Sequence, residues 1–108
     1  MTLEIKDSNY SEIITDNKLL IIDFWAIWCG PCRNLSPIID NVAKEFEGKV
    51  NVGKCDVTEN SIIPDKFAIR NIPTIVFVKN DEVLHRMVGV HTESEIKEKI
   101  NELLNENI

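Results

Sequence analysis

The chain has 108 residues, 44% hydrophobic and 28% charged, which predicts one globular domain over residues 1–108 with a core of its own. The formal net charge of −6 argues against binding to nucleic acid or to an anionic membrane surface, because both need clustered Lys and Arg. No apolar run approaches the roughly 20 residues of a spanning helix. The segment Met1–Tyr10 lacks the basic and apolar stretches of a secretory signal, so we expect a cytoplasmic protein.

Apolar residues alternate between strand-like and helix-like spacing along the first half of the chain. The run Leu19–Trp25 is almost continuously apolar, which is typical of a central strand covered on both faces. Pro37 inside the following helix removes a backbone donor and predicts a kink. In chain order, the spacing predicts a strand over 2–5, a helix from Ser8 or Asn9 to about 15, a strand over 19–25, a helix from about 32 to 46, a strand over 50–57 and a short helix capped by Asn60 or Ser61.

The second half of the chain predicts a hairpin followed by one long helix. Strands over 74–78 and 82–90 flank Asn80 and Asp81, residue types that tolerate the positive φ of a tight turn. Thr92-Glu93-Ser94-Glu95 has the spacing of a capping box, and apolar residues then recur on one face of a helix. The order of elements predicts an α/β fold in which a mixed five-stranded sheet carries helices on both faces.

The pair Cys29 and Cys32 carries the clearest chemistry in the sequence. The two thiols lie three residues apart, with Gly30 and Pro31 between them, where the predicted central strand meets a helix. Unpaired N–H groups at a helix N-terminus stabilise an anion, so Cys29 should ionise more readily than an ordinary cysteine, while Cys32 should be more buried. Such a pair supports a two-step exchange in which Cys29 attacks a disulfide and is then displaced by Cys32.

A structural zinc site is the competing interpretation of two cysteines at this spacing. Tetrahedral zinc needs four ligands, and Cys55, His85 and His91 are too scattered along the chain to complete a site, so no metal is expected. Two unrelated core cysteines are a weaker alternative, because a strand-to-helix junction is where a redox pair is found. Three cysteines without a secretory signal also do not indicate a disulfide framework.

The segment Asp23–Cys32 resembles the active-site signature of the thioredoxin family almost letter for letter. The resemblance extends over the chain through Pro37, Lys54, Ile72–Thr74 and Gly89. It implies the thioredoxin fold, a central five-stranded mixed sheet flanked by four helices, and the function of a general protein-disulfide reductase acting on client proteins. It also implies that thioredoxin reductase restores the dithiol with electrons from NADPH and that the chain needs no bound cofactor. We also expect a monomer.

The resemblance assigns roles to residues outside the dithiol. It implies that Asp23 lies beneath Cys32 and accepts its proton through water, and that Lys54 balances the charge of Asp23. It also implies a cis bond before Pro73, beside which Ile72 offers its backbone N–H and C=O to an extended client segment. The apolar docking surface that it implies consists of Trp28, Gly30, Pro31, Gly89 and Val90.

Several positions depart from the family pattern, and they bear on specificity more than on chemistry. Asp81 stands where many members have a hairpin glycine, and Ala68 and Asn71 replace glycines common before the proline. Ile27 stands where relatives often carry a polar or charged residue. Cys55, in a predicted strand, is interpreted as a small buried hydrophobe, with a regulatory thiol as the alternative.

Other interpretations stay open at this point. A binding module or assembly subunit would use the docking surface without turnover, although two intact cysteines and Asp23 argue against it. An oxidant that inserts disulfides would need an oxidising compartment, which the missing signal does not support. The alternative interpretation of Lys54 is an ordinary exposed lysine in a strand. Trp25 is expected to pack in the fold, and His91 is expected in a solvated loop.

Overall fold

Five strands form one mixed sheet in the computed structural model, which describes residues 1–106. The strands are β1 (Leu3–Glu4), β2 (Leu20–Trp25), β3 (Asn51–Asp56), β4 (Thr74–Lys79) and β5 (Glu82–Val88). Their order across the sheet is β1-β3-β2-β4-β5. Strands β1, β3 and β2 run parallel, whereas β4 is antiparallel to β2 and β5 is antiparallel to β4. The predicted mixed sheet is confirmed.

Four α-helices within the described part of the chain flank this sheet. They are α1 (Tyr10–Ile13), which a 3-10 turn (Ile14–Asp16) follows, α2 (Gly30–Glu45), α3 (Ile62–Lys66) and α4 (Glu93–Glu106). Helix α2 begins at Gly30, two residues earlier than expected, and continues past Pro37, where the predicted kink stays a prediction. None of the helices in residues 1–106 combines the length and the apolar character that crossing a bilayer requires.

Two buried apolar clusters hold the helices against opposite faces of the sheet. Helices α2 and α4 cover one face, with Leu35, Ile39 and Ile100 in its core. Helices α1 and α3 cover the other face. Strand β2 contributes Ile21 to the first cluster and Ile22 to the second, which explains its continuous apolar run.

The local signals in the second half of the chain form the predicted structures. Asn80 and Asp81 have φ values of 53° and 66° in the turn between β4 and β5. At the start of α4, the Thr92 hydroxyl accepts from the Glu95 N–H at 3.1 Å, and the Glu95 carboxylate accepts from the Thr92 N–H at 2.9 Å. The capping box is therefore confirmed. Strand β5 ends at Val88, two residues earlier than predicted, where the chain turns at positive φ.

Asn9 and Ser61 stand at the N-cap positions of the two short helices, as predicted, but neither side chain forms a cap hydrogen bond. Asn9 precedes α1, but its side chain bonds backwards to the backbone of Lys6 and Glu4. Helix α3 has no side-chain cap from Asn60 or Ser61. Instead, the Asp7 carboxylate accepts from the N–H groups of the three residues at its start, Ser61, Ile62 and Ile63, at 2.8–3.1 Å. The cap comes from a residue distant in sequence that folding places at this helix end.

Candidate active site

The two cysteines of the predicted dithiol lie where β2 meets α2 and are joined by a disulfide. Cys29 is the N-cap of α2, and its sulfur accepts from the Cys32 N–H at 3.2 Å. The two Cα atoms are 5.3 Å apart. Cys29 is 5% exposed and Cys32 is 2% exposed, so the predicted order of burial holds by a narrow margin in this oxidised form.

Apolar side chains pack around the disulfide from three parts of the fold. Trp25 from β2, Val57 after β3 and Ile72 before β4 contact the cluster that Ala26 forms with the two cysteines. The packing role expected for Trp25 is therefore confirmed. The third cysteine, Cys55, lies apart from this cluster in the core between the sheet, α1 and α3. Cys55 is fully buried, as its interpretation as a small hydrophobe predicts, and burial raises the pKa of its thiol to about 12.

Asp23 is a carboxylate inside the core, next to the dithiol. Its side chain is 1% exposed, and neither of its oxygens has a hydrogen-bond partner among residues 1–106. Burial raises the pKa of Asp23 to about 7, against a smaller opposite effect of the Lys54 charge. Such a group exchanges a proton near neutral pH, which is the property that a general acid or base needs.

Lys54 stands beside Asp23 in the parallel register of β2 and β3, but its ammonium group binds elsewhere. It forms an ion pair with Asp40 at 2.9 Å and donates to the Ser36 hydroxyl at 2.6 Å. The Lys54 charge therefore lowers the pKa of Asp23 across space, without a hydrogen bond to it. Sequence reasoning missed Ser36 and Asp40, although their spacing of four and eight residues from Cys32 places them along one face of α2.

A cavity of about 320 Å³ connects the buried carboxylate to the dithiol. Asp23, Cys32 and Lys54 line it together with Arg33, whose guanidinium donates to the Ile27 carbonyl at 2.7 Å. A water molecule occupies about 30 Å³ in the liquid, so the cavity has room for a chain of waters between the Asp23 carboxylate and the Cys32 sulfur.

The residues of the predicted docking surface differ in how much they expose. Trp28 is 67% exposed and Val90 is 46% exposed, while Gly30 and Pro31 are exposed and Gly89 is half-buried. Ile27, which sequence reasoning treated as a departure, adds a side chain that is 70% exposed. A large exposed apolar residue beside a reactive disulfide is the signal that marks it as part of this surface.

The loop before β4 carries the cis Ile72–Pro73 bond that the resemblance implies. Pro73 itself is buried, so its side chain offers a client little surface. Ile72 is half-buried against the cysteine cluster. Its backbone N–H and C=O form no hydrogen bond within residues 1–106 and stay available to a client. His91 lies in the loop after β5, where its Nδ1 is 3.1 Å from the Gly89 carbonyl.

The described residues contain no group of three His, Cys, Asp or Glu side chains placed to hold a metal ion. The two cysteines that a zinc site would use are joined to each other in this structure. The arrangement instead has the parts needed for thiol-disulfide exchange, namely a paired dithiol at a helix N-terminus and a buried carboxyl beside it.

Comparison with known proteins agrees with this chemistry. A family model described as Thioredoxin matches residues 1–102. The thioredoxin of Chlorobaculum thiosulfatiphilum is 41% identical over 100 residues, which cover 92% of this chain and 93% of that protein. The thioredoxin of Rickettsia bellii is 41% identical over 102 residues, which cover 94% of this chain and 97% of that protein. The crystal structure of chloroplastic thioredoxin z superposes with a TM-score of 0.84 at 33% identity, covering 97% of this chain and 96% of that one. The chain therefore belongs to the thioredoxin family, and it is a protein-disulfide oxidoreductase that acts by thiol-disulfide exchange.

Proposed function

We propose that the chain reduces disulfides in client proteins, with Cys29 as the attacking thiol and Cys32 as the resolving thiol. The Cys29 thiolate bonds to one sulfur of a client disulfide, the client S–S bond breaks, and the other client sulfur leaves as a thiolate. Cys32 then bonds to the Cys29 sulfur and releases the second client thiolate. Two electrons pass from the dithiol to the client. The observation that carries this proposal is the Cys29–Cys32 disulfide at the start of α2, which is the product of the second step.

The start of α2 favours Cys29 as the attacking group. The Cys32 N–H already points at the Cys29 sulfur at 3.2 Å, and the positive end of the helix dipole lies behind it. Both contributions stabilise a thiolate more than a neutral thiol, and the thiolate is the nucleophile.

Asp23 is the proposed acceptor of the Cys32 proton. Cys32 must lose this proton before it attacks, and the cavity that both residues line gives water a path between them. Lys54 lies close enough for its charge to favour the ionised carboxylate, while the Asp40 charge opposes it. Burial is the largest influence on the pKa of Asp23, and these two opposing charges adjust the pH range in which it accepts a proton.

Client docking is proposed at the surface around the disulfide. The free backbone groups of Ile72 pair with an extended client segment, as in the addition of a strand to a sheet edge. Trp28, Val90 and Ile27 provide the exposed apolar area beside it, with Gly30, Pro31 and Gly89 allowing close approach. Pro73 acts from inside the fold, by shaping the loop that presents Ile72.

The proposed redox cycle needs an external source of electrons. A thioredoxin reductase would reopen the Cys29–Cys32 disulfide with electrons from NADPH, so the chain itself would need no bound cofactor. We also propose that residues 1–108 form a single domain and that the protein acts as a monomer in the cytoplasm. A reducing compartment suits it because a reduced dithiol persists there.

The variant Cys32→Ser tests the assignment of the two thiols. It keeps the attacking thiol but removes the resolving one, so a disulfide-bonded peptide should become trapped on Cys29 as a mixed disulfide, visible by mass spectrometry. The matched variant Cys29→Ser lacks the attacking thiol, so it should form a mixed disulfide with the peptide much more slowly. Continued turnover by Cys32→Ser, or an equally fast adduct on Cys29→Ser, would contradict the assignment.

A further inference from the structure

A second cleft lies next to the loop that presents Ile72. We call it the arginine groove, and it is a cavity of about 370 Å³ lined mainly by Arg70, Asn71, Thr74, Arg86 and Val88. Ile72 contacts the cysteine cluster, while its chain neighbour Asn71 lines the groove. The groove therefore adjoins the place where a client segment would pair.

The groove exists because β5 is an edge strand with one uncovered face. Arg86 pairs with Val76 and Val88 pairs with Thr74 in the antiparallel register. Val76 belongs to the core under α1 and α3, so Arg86 and Val88 point to that same side of the sheet. Val88 is nevertheless 59% exposed. The segment 68–71, which follows α3, forms the opposite wall of the groove.

The two arginines of the groove lack a partner among the described residues. Neither guanidinium forms an ion pair or a hydrogen bond within residues 1–106. They stay unpaired within this range although acidic residues outnumber basic ones in the chain, 18 to 12. Both side chains are exposed, so their donors are free to bind another molecule. A guanidinium matches a carboxylate in a planar, bidentate geometry, which makes arginine the preferred residue for recognising acidic groups.

We propose that the arginine groove binds an acidic side chain of the client, so that clients with Asp or Glu close to the reactive disulfide are preferred. This inference rests on the proposed function, because it requires a client segment paired with Ile72. Successive residues of an extended segment advance about 3.3 Å, so a side chain a few residues from the reactive cysteine reaches the groove. The attraction also steers an acidic client towards a site on a protein whose overall charge of −6 would repel it.

A series of peptides with one internal disulfide tests the proposal. Glu is placed in turn at each position flanking the reactive cysteine, with Gln and Lys peptides as matched references. Tryptophan fluorescence follows the reaction and gives the second-order rate constant of reduction, because Trp28 precedes Cys29 in the chain and Trp25 packs against the two cysteines. At the favourable position we expect Glu to react about threefold to tenfold faster than Gln, the range that one or two exposed ion pairs produce, and Lys to react more slowly.

Two double variants show whether the groove causes this preference. Arg70→Gln/Arg86→Gln should lower the ratio of the Glu and Gln rate constants to about 1, because the carboxylate then has no cationic partner. Lys18→Gln/Lys49→Gln is the matched control, since it removes the same two charges from exposed positions just before β2 and β3, at the opposite end of these strands from the disulfide. The control should keep the wild-type ratio.

The outcomes separate this inference from the proposed function. Equal rate constants for Glu, Gln and Lys at every position would overturn the acidic preference while the reductase function stands. An equal loss of the ratio in the lysine control would also overturn it, because net charge would then be the cause. A protein that reduces none of the peptides would overturn both proposals.

Discussion

Asp23 shows how a single buried carboxyl links stability to pH. Its pKa in the folded chain is about 7, above the ordinary value of 3.8, so folding favours the protonated form. The resulting stabilisation is complete below about pH 4 and is lost as the pH rises through about 7. At neutral pH the ionised carboxyl therefore destabilises the fold relative to an apolar residue at the same place, which would bring no charge into the core.

The variant Asp23→Asn should remove this pH dependence. Between about pH 4 and about pH 8, the oxidised wild-type protein should lose up to roughly 4 kcal/mol of unfolding free energy relative to Asp23→Asn. The reason is that burial raises the pKa of the Asp23 carboxyl from 3.8 to about 7. Urea unfolding of both proteins across this range measures it. The exposed Glu59→Gln serves as the control and should follow the wild type. If the unfolding free energies of the wild type and Asp23→Asn changed in parallel with pH, the raised pKa would not belong to Asp23.

The Asp40 charge raises the pKa of Asp23, and Asp40 also holds Lys54, whose charge lowers it. Asp40→Asn removes a negative charge that raises the pKa of Asp23, and it frees the Lys54 ammonium, which lowers that pKa. Both changes have the same sign, so the pKa of Asp23 should fall. An NMR titration of the Asp23 carboxyl carbon measures the shift, and Asp40→Glu, which keeps the charge, should stay closer to the wild type. An unchanged or higher pKa in Asp40→Asn would show that this ion pair does not influence Asp23.

At the scale of elements, β3 depends on a glycine for its place between β1 and β2. A Cβ atom on Gly53 would lie 2.6 Å from both Cγ1 and Cδ1 of Ile5 and 3.0 Å from the Leu3 carbonyl oxygen. Ile5 is fully buried among other core side chains, so moving it would disturb their packing. This glycine therefore serves the close approach of strands and not a turn.

Gly53→Ala should lower the unfolding free energy by about 1–3 kcal/mol, the usual cost of overpacking a core. Adding Ile5→Val, which removes the clashing Cδ1 atom, should recover part of the loss, so the two changes should be non-additive in a double-mutant cycle. Urea unfolding of the four proteins gives the coupling. Additive effects, or a stable Gly53→Ala, would mean that β1 and β3 tolerate a wider spacing.

At the scale of the whole molecule, Asp81 joins three elements at one end of the fold. One of its oxygens accepts from the Tyr10 hydroxyl of α1 at 2.6 Å, and the other pairs with Lys66 of α3 at 3.0 Å. Its own backbone forms the turn between β4 and β5. The departure from a hairpin glycine is thus explained, because a glycine there would have no side chain to make these bonds.

Tyr10→Phe should destabilise the protein by about 1 kcal/mol, the net value of a hydrogen bond whose partner keeps a second donor. The aromatic ring still packs edge-on against Phe67, so the loss comes from the hydroxyl alone. Thermal unfolding of the oxidised protein measures it. In the Asp81→Gly background the same change should have a smaller effect, and an equal effect would show that the hydroxyl acts through another group.

The sequence by itself determined the order of elements, the hairpin, the capping box of α4 and the place of the dithiol. Each depends on residues a few positions apart. Local properties of the chain include the spacing of Cys29 and Cys32, the spacing of Thr92 and Glu95 that allows their reciprocal hydrogen bonds, and the period of the apolar residues.

Only the tertiary structure decided which distant groups meet. Lys54 has 18 acidic residues in the chain as possible partners. Folding places Asp40 next to its ammonium group, while the Asp23 carboxylate has no hydrogen bond to any of residues 1–106. The same holds for Asp7 at the start of α3 and for the two arginines of one groove. A hydrogen bond or an ion pair needs atoms within about 3–4 Å, and for residues far apart in the chain that distance is set by the packing of strands and helices, not by any local pattern.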